Sequence, residues 1–150
     1  MPLSILDDAV ILATLLGCML LGGGLYEYLV VDPFWPGRPD LIQSSRGGIS
    51  RGRFWAPTHT LFEIALIVSL FEAWRVPELR LWLLLAAASH LVTRIWSVLD
   101  FIPKALVFEK ADAVDERAAR RWTERSKLRF PLELLTVAFL FAALRIAMRR

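Results

Sequence analysis

Cysteine occurs once in these 150 residues, histidine twice and tyrosine twice. The lone Cys18 excludes an internal disulfide and, inside an apolar run, reads as a small packing residue. His59 and His90 are not arranged as His-x-x-x-His, and neither follows a Glu-x-x-His pattern, so the motifs of zinc and di-iron sites are missing. No nucleophile elbow supports a Ser-His-Asp hydrolase. The glycine-rich run Arg46 to Arg53 lacks Walker spacing, and lipid head groups explain its bases better. No basic start or small-residue cleavage site marks the first apolar run as a removable signal, because it opens with Asp7 and Asp8. Net charge is only +3, and the bases sit in connections between apolar runs, so no nucleic-acid partner is expected.

What the chain has is long hydrophobic runs. Apolar residues make up 56 %, with six tryptophans and nine phenylalanines. One helix of about 20 residues at about 1.5 Å each crosses a bilayer's hydrocarbon. Four such runs appear, over about 5–31, 57–74, 79–102 and 128–148. Pro57 opens the second as a first helical residue. Gly17 and Gly22 to Gly24 let the first helix approach its neighbours closely. An amphipathic helix over 104–127, with Asp112 or Asp115 as its cap, leads into the fourth span, where Pro131 marks a kink or membrane entry. The expected fold is an all-α antiparallel bundle of four transmembrane helices, a single integral membrane domain.

The third span carries His90, Thr93, Arg94, Ser97 and Asp100 within about a third of the helix circumference. Lipid does not accept such a stripe, so it faces other helices or a polar cavity. Counted from the ends of the runs, Glu27, Glu63, Asp100 and Glu133 all fall about 5–10 Å inside the same boundary, one carboxylate per span. His59 and Glu63, four apart, are expected to pair. Arg94 is expected to be neutralised by Glu27, with Asp100 as rival, while Arg129 and Glu133 satisfy each other. By the same counting the two histidines differ in depth by about 15 Å, which excludes one iron between them. No metal, haem or other cofactor is expected, and arginines among the acids would repel a divalent ion.

GLYEYLVVDPFW at 24–35, RFWAP at 53–57, DFIPKALVFE at 100–109 and RRWTERSKLRFPLELL at 120–135 carry a resemblance. The chain resembles the small four-helix membrane proteins that include fungal anthrone oxygenases. Matching positions are Tyr26, Glu27, Pro33, Trp35, Pro103, Trp122, Arg125, Arg129 and Glu133; Pro131 departs from the pattern. The resemblance implies four spans and, for the characterised branch, oxygenation of a lipophilic polyphenol.

The functional expectation is a membrane protein with an intramembrane polar pocket, acting on a lipophilic aromatic or phenolic molecule without a cofactor. His59 or His90 is the base, Glu63 orients it and Arg94 stabilises the phenolate. Tyr26, Glu27, Ser97, Asp100, Trp122, Arg129 and Glu133 are the expected ligand-binding residues. The alternative is a non-catalytic binding or assembly subunit whose buried ion pairs are structural. Membrane lipids are partners on either reading, and a homo-oligomer or membrane complex is left open. Eleven bases in the two long loops, against five near the termini and the 75–80 turn, place the long loops in the cytoplasm. Both termini then lie outside a plasma (inner) membrane.

Overall fold

The computed structural model describes residues 5–150. Six α-helices come in order: α1 (Ile5–Tyr26), α2 (Gly52–Glu72), α3 (Pro77–Trp96), α4 (Ile102–Lys110), α5 (Glu116–Ser126) and α6 (Phe130–Ala147). Four continuous stretches are long and apolar enough to cross a membrane: Ile5–Val31, Gly52–Glu72, Pro77–Lys110 and Glu116–Ala147. The core between α1, α2, α3 and α6 holds Val10, Ala13, Phe62, Leu83, Ala86 and Leu140. Outward faces remain apolar, with Leu15, Ile67, Phe71, Leu91 and Leu99 more than half exposed, as a lipid-facing surface requires.

The first span keeps its expected bounds, 5–31, whereas the start of the second and the end of the third differ, each for a local reason. The second helix starts at Gly52, so Pro57 lies inside it. Phe54 and Trp55, edge to face, pack on α1 at Gly23, and these contacts extend the helix upstream of the proline. The first span ends in a π turn, Glu27–Val31, two residues ahead of Pro33. The third passes through another, Ser97–Phe101, two residues ahead of Pro103, and continues as α4. A proline removes the i→i−4 hydrogen bond, and a π turn absorbs the mismatch by adding one residue to the ladder. Pro131 sits in the first turn of α6 after a 3₁₀ turn, Lys127–Arg129, where its missing N–H costs nothing. Asp115 caps α5 by accepting from Arg117 N at 2.9 Å.

Glycines in α1 act as close-approach points. A Cβ on Gly17 would lie 2.9 Å from Leu140 on α6, and one on Gly23 would lie 2.5 Å from Phe54 on α2. The 32–51 connection is a chain of short 3₁₀ turns, Trp35–Gly37, Pro39–Ile42 and Ser44–Arg46. It folds over the end of the bundle around a second core of Trp35, Ile42, Phe101, Ala119 and Trp122. Gln43 Nε2 donates to the carbonyls of Phe108 (3.1 Å) and Ala111 (2.8 Å), tying this cap to the end of α4. Contrary to the sequence reading, the letters of a nucleophile elbow do occur, in Gly48-Ile49-Ser50-Arg51-Gly52. No strand precedes them among the described residues, so the elbow itself is not formed.

Candidate functional site

Between the two cores lies a cavity of about 340 Å³, within the size range of small-molecule sites. Both π turns supply its wall: Glu27 and Tyr28 from one, Ser97 and Phe101 from the other. Tyr28 donates to the Ser126 carbonyl at 3.1 Å. Trp55 and His59 come from α2, Arg94 from α3, Trp122 from α5 and Glu133 from α6.

The acids do not find the partners expected of them. Glu63 accepts from Arg94 Nε at 2.8 Å and meets His90 Nε2 at 3.3 Å, joining α2 to α3. The local His59–Glu63 pair is therefore replaced, and so is the Glu27–Arg94 pair. Glu27 instead accepts from Trp55 Nε1 at 3.1 Å and faces Arg51 at 3.7 Å. Asp100 is held by Lys104 and by Arg125 (2.7 Å), and it does not line the cavity. Tyr26 also turns away, 58 % exposed. Neither lines the cavity, whereas Glu27, Ser97, Trp122, Arg129 and Glu133 do. Arg129 does not pair with Glu133. It donates to Ser97 Oγ at 2.6 Å and lies 4.4 Å from the Phe101 ring centre.

Counting residues from span ends misjudges depth, and two contacts show why. Arg51 meets Glu109 at 2.9 Å, and the His59 and His90 rings are 5.7 Å apart. Eight residues separate the two contact points on one chain segment and nineteen on the other. In straight antiparallel helices these would be about 12 and 28 Å. The long Arg51 and Glu109 side chains span much of that difference, and the 77–110 stretch is interrupted by the π turn ahead of Pro103. The 15 Å offset between the histidines does not exist.

Arg51 is the residue the sequence concealed. It sits in a glycine-rich run that reads as head-group contact, yet its side chain is only 7 % exposed. Two of its nitrogens donate to Glu109 Oε1 at 3.1 and 2.9 Å. Its guanidinium lies 5.7 Å from the Trp35 ring centre and 5.6 Å from that of Trp122. Arg46 in the same run pairs with Asp112 at 2.6 Å. A signal was present in Trp35 at the start of this loop, a ring that needs a cation or a core to cover it.

Two polar atoms on the wall have no hydrogen-bond partner: His59 Nδ1 and Glu133 Oε2. His59 is held by rings alone, 5.7 Å from both Trp55 and His90. Glu133 packs against bare backbone, since a Cβ on Gly24 would lie 3.0 Å from Oε2. Leaving a buried acceptor unmade costs about 1–3 kcal/mol, more for a charged group, so each of these atoms calls for a partner on the cavity side.

Asp32, just beyond the first span, accepts from Trp35 Nε1 at 3.0 Å and lines the cavity. Burial pushes its carboxyl up to about 6, against the Trp35 hydrogen bond, which favours the ionised form. A raised folded pKa means the protonated fold is favoured. That stability is fully present below the ordinary value of 3.8 and is lost as pH rises through about 6. Thermal stability should therefore fall between about pH 4 and 6, and Asp32→Asn should flatten that slope.

These features define a multi-pass α-helical membrane protein with a cavity at one end of its bundle, its largely apolar wall set with charged and polar side chains. Compared with models of protein families, with curated proteins and with solved structures, the chain matches none.

Proposed function

We propose that the cavity binds a lipophilic aromatic molecule with a phenolic or similarly acidic head. The observation that carries this reading is the fate of the four carboxylates. Glu27, Glu63 and Asp100 are each engaged by bases, whereas Glu133 Oε2 is left free on the wall, together with His59 Nδ1. A purely structural set of ion pairs has no use for that exception. Aromatic walls from Trp55, Phe101 and Trp122 suit a planar ligand, and Ile102, Ala105 and Leu106 supply an apolar side.

The resemblance to anthrone oxygenases extends this reading to chemistry. A base removing one proton from an anthrone-type CH2 leaves a carbanion-phenolate. Dioxygen, the oxidant, adds at that carbon, and the protonated base returns its proton to the peroxide. O–O cleavage with loss of the second C–H then releases water and leaves the quinone carbonyl. His59 is the base, since it reaches the wall; His90 lies behind it on Glu63, and Arg94 stabilises the phenolate. A non-catalytic binding subunit would share the pocket and differ only in lacking turnover. The same proposal places the long loops in the cytoplasm of a plasma membrane.

Titration of the protein in nanodiscs with a hydroxyanthraquinone tests the binding. Saturable tryptophan quenching is expected, weakened in Arg129→Met and absent with unsubstituted anthraquinone. Linear, non-saturating quenching that is identical in both proteins would reject a pocket.

A further inference from the structure

His59 and Glu63 lie one turn apart on α2, and His90 projects from α3 against both. One ligand atom from each of the three falls within 4.8 Å of the other two. The His90 Nε2 to Glu63 Oε1 separation of 3.3 Å is close to the edge of a tetrahedron whose metal–ligand bonds are about 2.0–2.1 Å. Two imidazoles and one carboxylate form a donor set of borderline softness. It suits zinc or ferrous iron, whereas magnesium and calcium prefer oxygen alone. The absence of a sequence motif carries little weight here, because the third ligand comes from another helix.

We propose that His59, Glu63 and His90 form a three-ligand site for a divalent first-row transition ion, open on the cavity side through His59. Arg94, 2.8 Å from Glu63 Oε1, opposes the ion by charge and holds the carboxylate from outside. Oε1 has a second lone pair for coordination beside the one that accepts from Arg94, the outer contact on the carboxylate. An ion here would use the imidazole lone pair that the proposed reaction gives to proton removal. The metal-bound and proton-accepting forms are therefore alternatives, and the site stands or falls independently of the aromatic ligand.

Cobalt(II) alone is the probe, added to chelator-treated full-length protein in nanodiscs. One ion per chain is expected, with visible d–d absorption that zinc abolishes by displacement. His59→Ala should weaken binding roughly tenfold or more. His59 Nδ1 has no protein hydrogen bond to lose, so this variant is expected to fold, which helical circular dichroism checks. Glu63→Gln is the second variant; if it fails to fold, His59→Ala decides alone. No saturable absorption, or absorption unchanged in His59→Ala, would overturn the site. Neither result touches the hydroxyanthraquinone titration, so the two readings fail separately.

Discussion

Replacing Arg51 with methionine is expected to destabilise the bundle by about 3–5 kcal/mol, the usual loss when one member of a buried ion pair is removed. The change strands two carboxylates at once. Glu109 loses a two-nitrogen contact and Glu27 loses the charge at 3.7 Å, while Trp35 and Trp122 lose the guanidinium between them. Methionine fills most of the volume, which separates the charge effect from a cavity. Adding Glu27→Gln and Glu109→Gln should then recover much of the loss, since removing all partners of a buried pair is often close to neutral. Denaturation of the three proteins in one detergent checks this. A triple variant no better than Arg51→Met would show that packing, not charge, holds the cap.

The second large effect has opposite signs for stability and binding. Glu133→Met keeps the length of the side chain and removes a buried carboxylate whose Oε2 has no partner. The free protein should gain about 1–3 kcal/mol, the cost of an unmade buried polar group. Hydroxyanthraquinone binding should fall by roughly ten- to a hundredfold, the loss of one hydrogen bond to a charged acceptor. Gly24→Ala crowds the same oxygen and should weaken binding without that gain, because its Cβ would meet Oε2 at 3.0 Å. Stability and affinity falling together in Glu133→Met would make Glu133 a structural residue.

The spans were legible because four apolar runs of sufficient length admit little else. The glycine positions of α1, the Asp115 cap and the entry at Pro131 obey rules that act within one or two turns. Side-chain partners were not legible. Glu27 was matched to Arg94 by depth, and depth was counted from Pro57 and Pro103 as if helices were straight and ended there. In fact α2 starts five residues earlier, and the third helix runs on through a π turn to Lys110. Each π turn adds a residue to its ladder and rotates the side chains around it, which decides whether Tyr26 or Tyr28 faces the cavity. Arg51 was hidden for a different reason. A base in a glycine-rich loop is ordinarily solvated, and only the fold of the cap brings Trp35, Trp122 and Glu109 around it.

The most direct test of the central claim is where a bound aromatic sits. A photoreactive hydroxyanthraquinone, irradiated with the protein in nanodiscs and mapped by peptide mass spectrometry, should label residues near Trp55, His59 and Trp122. Unlabelled compound should suppress that labelling, and so should Glu133→Met. Labelling confined to the lipid-facing residues Ile67, Leu91 and Leu99, unaffected by competitor, would contradict a pocket ligand.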